Sequence, residues 1–163
     1  MITDPGARTG GHLAIAWSWY ALSPKWHSIW PSASRPADYD DDDTKKILVL
    51  MTDGSFNALW LGTDSSDPFA PYKIPHKIAR DFCQRMKDDD ILIYSVGFGI
   101  SPPLIDASMS AAQVAAALSW DSFETLNECA SHPELVYLPD TGDELREVYN
   151  EIATGLKSVA LTN

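Results

Sequence analysis

The sequence predicts an α/β domain: a small parallel sheet with helices on both faces. Three observations lead there. Lys46–Asn57, KILVLMTDGSFN, contains an unbroken apolar run from Ile47 to Met51, the pattern of a strand covered on both faces rather than half solvated. Ile91–Phe98, ILIYSVGF, is a second such run, and Glu134–Leu138, ELVYL, a third and shorter one. Helical patterns separate the three, and strands alternating with helices imply a parallel sheet with right-handed crossovers.

Each connecting element has its own signals. His12–Leu22 carries Leu13, Ile15, Ala16, Trp17, Trp19 and Tyr20 and is predicted as a helix ending before Ser23-Pro24, because the residue before a proline avoids the helical region. Trp17 and Tyr20 are expected in or beside the core. Ser23–Asp43, with Pro24, Pro31 and Pro36 beside Trp26 and Trp30, reads as a surface excursion pinned by tryptophans. Phe56–Tyr72 reads as a loop rich in Asp, Ser, Gly and Pro. Pro75 suits the first turn of a helix to about Lys87. There Ile78, Ala79, Phe82, Cys83 and Met86 form an apolar stripe. Ser110 with Gln113, Asp121 with Glu124 and Thr141 with Glu144 resemble helix-capping boxes. They predict helices at Ala111–Leu118 and Ser122–Ala130, and a last helix turning Leu145, Val148, Ile152, Leu156 and Val159 inward.

Size and charge narrow the function classes. The 163 residues suit one domain with a real core, and a composition 45% hydrophobic with six Trp is that of a globular protein. A formal net charge of −11 with a pI near 4.5 lacks the basic footprint that nucleic acid or an anionic membrane requires. No apolar run reaches the length of a membrane span, and no leader precedes a cleavage site. The chain as given is therefore expected to be soluble and without an export signal. Cys83 and Cys129 are too few to define a compartment by count.

Several chemistries find no motif. Walker-type and GxGxxG loops are absent, as is the GxSxG elbow of serine hydrolases. His12, His27, His76 and His132 are scattered without zinc-site spacing and are expected as surface or capping residues. Asp38, Asp40 and Asp42 suggest a calcium loop, but Asp43 stands where that loop needs Gly and Val49 where it needs Glu. A solvated acidic loop fits better. What remains is an oxygen-only set: Thr9 in the first loop, Asp53 and Ser55 after the central run. Asp53 follows the carboxyl end of a predicted strand, where open α/β sheets place ligands, and such oxygens suit a hard cation such as Mg²⁺. Asp53-Gly54 is equally the chemistry of a plain turn.

ILVLMTDG resembles the fourth strand and metal loop of von Willebrand factor A domains. ARTGGHLAIAWSWYALSP, MTDGSFN, FCQRMKDDDILIYSVGF, LNECASHPELVY and DELREVYNEIATGLKSVALTN are similar, more narrowly, to the A-domain of TadG-type pilus-assembly proteins. The resemblance spans nearly all of residues 1–163 and implies a Rossmann-like three-layer α/β/α sandwich, reduced here to family strands 4 to 6. It implies a metal-ion-dependent adhesion site that holds Mg²⁺ and takes a partner carboxylate at its open position. Thr9 matches that site's Thr and Asp53 its Asp. The Asp-x-Ser-x-Ser loop has no counterpart, so the site is expected to be incomplete and Mg²⁺ not to be held by this chain alone. The resemblance also implies a Cys83–Cys129 disulfide, a periplasmic or cell-surface location, and binding of a protein partner such as a pilus or secretion component, without catalysis. Two reduced core cysteines remain the alternative to the bond. With strand order 3-2-1-4-5-6 in that family, the strand at Ile47–Met51 is expected to have a bare flank, a template for self-association. Two rival functions stay open. One is a metal-dependent hydrolase using Asp53; the other is an intracellular A-domain serving an ATPase chaperone, which free thiols would favour.

Overall fold

The strand at Ile91–Phe98 becomes the centre of a three-stranded parallel sheet. The computed structural model describes residues 10–54, 56, 70–102, 105–118 and 122–160. Among these the order is α1 (Gly11–Leu22), β1 (Ile47–Thr52), α2 (Ala70–Asp88), β2 (Leu92–Gly97), α3 (Ala111–Leu118), α4 (Ser122–Cys129), β3 (Val136–Tyr137) and α5 (Gly142–Ala160). The strands lie side by side as β1-β2-β3. β1 pairs with β2 in parallel from Ile47 opposite Leu92 to Thr52 opposite Gly97, and β3 pairs with β2 in parallel at Ser95–Val136 and Val96–Tyr137.

Side-chain alternation along these strands builds two cores. Leu48, Leu50 and Ile93 point to one face, where Ile15 of α1, Ala79, Cys83 and Met86 of α2, and Leu126 and Cys129 of α4 pack. Ile47, Val49, Leu92, Tyr94 and Val96 point to the other, under Leu145, Val148, Ile152 and Leu156 of α5. Val159 lies beyond the residues whose side chains are described.

Helices α2 and α4 run alongside each other in the same direction, as consecutive right-handed crossovers on one face require. Their contacts climb both helices in step. His76 meets Thr125, Arg80 pairs with Glu128 at 3.1 Å, Cys83 bonds Cys129, and the Lys87 ammonium donates to Glu128 O at 2.7 Å. The disulfide has its Cα atoms 5.0 Å apart and both residues fully buried. At the foot of α2 the chain turns into β2 through Asp90, which takes a left-handed φ of 57°. The amides of Asp90 and Ile91 return to the carbonyls of Lys87 and Met86, closing the helix end.

Several expectations need correction. Helix α2 begins at Ala70, so Pro75 lies inside it and the loop expected over Phe56–Tyr72 ends sooner. Pro75 has no N–H to give the carbonyl four residues back, and its ring crowds that carbonyl, so the helix forgoes one bond in its second turn. β3 is two residues long because Pro133–Leu135 forms a 3-10 turn in the run expected as strand. β1 has helices on both faces, but the cover is incomplete at its carboxyl end, where Met51 is 42% exposed. Trp17, expected near the core, is 65% exposed. Helix α1 is apolar all round, so periodicity could not choose its inward side. It buries Gly11, His12, Ile15 and Ala16 instead. The capping boxes at Ser110/Gln113 and Thr141/Glu144 form with reciprocal backbone bonds. Asp121 lies outside the described residues.

The disulfide closes a loop of 46 residues. Loop-closure entropy then assigns it about 4 kcal/mol of stability. Urea unfolding with and without reductant should show a loss of that order, and an unchanged midpoint would contradict the bond's structural role.

Candidate functional site

The site is the turn at the carboxyl end of β1 and the floor beneath it. Thr52, the last residue of the strand, is buried, and its hydroxyl donates to Gly54 O at 2.9 Å while accepting the Gly54 N–H at 3.3 Å. These two bonds hold the Thr52–Gly54 turn in shape and leave Asp53 exposed on it. Gly54 itself is not in a left-handed conformation, and a Cβ there would meet nothing within 4 Å. A glycine is therefore not required at this point of the turn.

Below the turn, Phe56 is 2% exposed and stacks on the imidazole of His76, ring centres 5.3 Å apart. The start of α1 closes against the same ring: a Cβ on Gly11 would lie 2.1 Å from Phe56. Here a glycine is indispensable, because only a bare Cα permits that approach. His76 Nδ1 and Thr125 Oγ1 are hydrogen-bonded at 2.7 Å, joining α2 to α4. His12 on α1 belongs to the same buried group. Two nitrogens in it, His12 Nδ1 and His76 Nε2, are buried without a hydrogen-bond partner. Burial, then the charge of Arg80, then that of His12 hold the His76 pKa down at about 4, so the ring is neutral at physiological pH. Burial lowers that of His12 as well. Both were expected as surface or capping residues. No spacing in the sequence marks them, since only the packing of α1 against α2 brings them together.

Of the oxygen set expected to ligate a cation, the structure places Asp53, at the rim of the sheet. Thr9 and Ser55 lie outside the described residues. Among the described residues no group of three or more His, Cys, Asp or Glu side chains could hold a metal ion. Asp53 could thus offer one carboxylate to a cation, whose remaining oxygens must come from elsewhere. The acidic run Asp40–Asp43 lies at the other end of the sheet, before β1, and folds on itself: Asp41 accepts the Asp43 N–H at 3.0 Å.

No protein-family model, curated protein or solved structure matches the chain. No helix among the described residues is long and apolar enough to cross a membrane.

The buried imidazole makes stability depend on pH. His76 protonates at about pH 4 when folded and near its ordinary 6.5 when unfolded. Between these values the unfolded chain binds more protons, so stability falls as pH drops from 6.5 and levels off below 4, by about 3 kcal/mol in all. In urea unfolding at pH 7 and pH 4, His76→Gln should lose less stability than the unmodified chain. Equal losses would show that His76 is not buried neutral.

Proposed function

We propose that this chain is part of a von Willebrand factor A-type binding domain of a TadG-like pilus-assembly protein, and that it acts by recognition without catalysis. The observation that carries this reading is the position of Asp53, exposed on a Thr52-anchored turn at the carboxyl end of a parallel strand, where such a domain presents its metal-binding acid. The sheet supports it: the apolar runs at Ile47 and Leu92 pair in parallel with helices on both faces, in the spatial order that family strands 4, 5 and 6 would take. The disulfide supports an oxidising compartment, the periplasm or cell surface, over an intracellular role beside an ATPase chaperone, where cysteines stay reduced.

In a complete adhesion site Mg²⁺ would supply an open coordination position for a carboxylate of the protein partner. Thr9 and Asp53 would be this chain's ligands, with Ser55 beside them. Mg²⁺ gives up its waters reluctantly, and one carboxylate with one or two hydroxyls offers little in exchange. The chain by itself should therefore show no Mg²⁺ or Mn²⁺ binding in calorimetry. Fusing a strand that ends in Asp-x-Ser-x-Ser ahead of residue 1 should create binding that Asp53→Ala abolishes. A fused protein that binds no metal would overturn the adhesion-site reading. Tight binding by the unfused chain, lost in Asp53→Ala, would show that its own ligands suffice.

A further inference from the structure

A cleft of about 600 Å³ opens between two walls, the 3-10 turn Pro133–Leu135 with β3 on one side and α5 on the other. It lies past β3, across the sheet from β1, so strands added ahead of β1 would not reach it. Leu135, Ile152 and the ring of Tyr94 give it an apolar lining. Glu134 on one wall and Glu151 on the other are exposed. The volume is of the order that small-ligand sites occupy. We propose that this cleft binds an organic primary ammonium ion, its head held by Glu151 and the hydroxyls of Tyr94 and Tyr137, its alkyl stem laid on Leu135 and Ile152.

The cleft offers acceptors and lacks donors to fill them. Tyr94 is only 6% exposed, yet its hydroxyl has no hydrogen-bond partner among the described residues. It stands beneath α5 at Gly155, where an added Cβ would lie 3.9 Å from Tyr94 Oη. A buried hydroxyl left unpaired costs free energy that a ligand can restore. Tyr137 donates its own proton to Glu151 Oε1 at 3.1 Å, which fixes that carboxylate and leaves the phenol oxygen able to accept. Burial first, then Glu151, then Tyr94 hold the Tyr137 pKa above its ordinary 10, so it stays a neutral donor at physiological pH. The Tyr94 and Tyr137 oxygens with the second oxygen of Glu151 make three acceptors, and an ammonium carries three donors and no acceptor. Among the described residues no lysine or arginine lines the cleft, and neither Glu134 nor Glu151 belongs to an ion pair. An anion would therefore meet two carboxylates and no cation. A hard metal ion asks for about six oxygens, which walls half made of hydrocarbon do not supply. An alkylammonium suits both halves, because its stem covers apolar surface while its charged head stays beside the carboxylates at the water's edge. The net charge of −11 also draws cations toward the molecule.

This inference goes beyond the A-domain reading and does not rest on it; metal titration tests the one and amine titration the other. Pentylammonium added to the chain in physiological salt at pH 7 should shift the NMR amide signals of Tyr137, Glu151 and Gly155, saturating at roughly millimolar concentration. Glu151→Gln keeps an oxygen for Tyr137 but removes the charge, and should weaken binding about tenfold. Asp40→Asn, which removes one charge away from the cleft, should leave it unchanged. 1-Pentanol, the neutral isostere, should produce no saturable shifts. The blocked amino acid Nα-acetyl-lysine methylamide separates two sources of the same chemistry. Binding at least as tight as that of pentylammonium points to a lysine side chain, weaker binding to a free amine, and both bear the proposal out. Shifts that never saturate, or that spread over the acidic surface, overturn it. So do equal binding of pentanol, a Glu151→Gln variant that binds as before, and an Asp40→Asn variant that weakens binding as much. The two variants replace only exposed side chains, so both should fold.

Discussion

Everything in this fold leans on β2, a strand buried along all but its first residue. Ile93, Ser95 and Val96 are fully buried, with one core above them and another below. Its backbone is committed on both edges: Leu92 and Phe98 donate toward β1, while Ile93 receives a bond from Ser131 and Gly99 donates to Pro139 beyond β3. A strand held this way imposes direction and register on both neighbours. It also fixes which atoms of β1 are spent within the sheet and which face outward. The outward turn of the Ile47, Val49 and Met51 backbone follows from that parity.

The second constraint is the seam between α2 and α4. It runs from the His76–Thr125 bond through the Arg80–Glu128 pair and the disulfide to Lys87. The seam sets the floor of the candidate site, because His76 supports Phe56 and Phe56 closes on Gly11. A buried neutral imidazole is a poor proton carrier near neutral pH, which suits a supporting role. Above it the exposed Asp53 sits at a place where charge can be offered to a ligand without the cost of burying it.

Much of this was legible in the sequence, for identifiable reasons. Three apolar runs separated by helical patterns pointed to the parallel sheet, its strand order was implied by the family likeness, and Thr52-Asp53-Gly54 marked the carboxyl end of β1 because polar residues stop an apolar strand abruptly. The stripe on α2 pointed Cys83 inward, but its bond to Cys129 came from the family likeness, since two cysteines alone have no required partner. What stayed hidden depends on tertiary placement. An apolar run reads alike whether a strand is fully covered or has an exposed edge, so Met51 was misread. Helix α1 is apolar on every side, so Trp17 was misplaced. His12 and His76 became neighbours only when α1 packed on α2. Of the candidate ligands, Asp53 alone falls among the described residues, and its place at the rim was the part a sequence could show.

The most direct test of this account is amide hydrogen exchange along β1, measured by NMR. The amides of Leu48, Leu50 and Thr52 should exchange slowly, because each bonds to β2. Those of Ile47, Val49 and Met51 should exchange fast, because they turn away from β2, to a side where no strand among the described residues pairs with them. Uniform protection along the strand, or the opposite alternation, would contradict the register of β1 on β2.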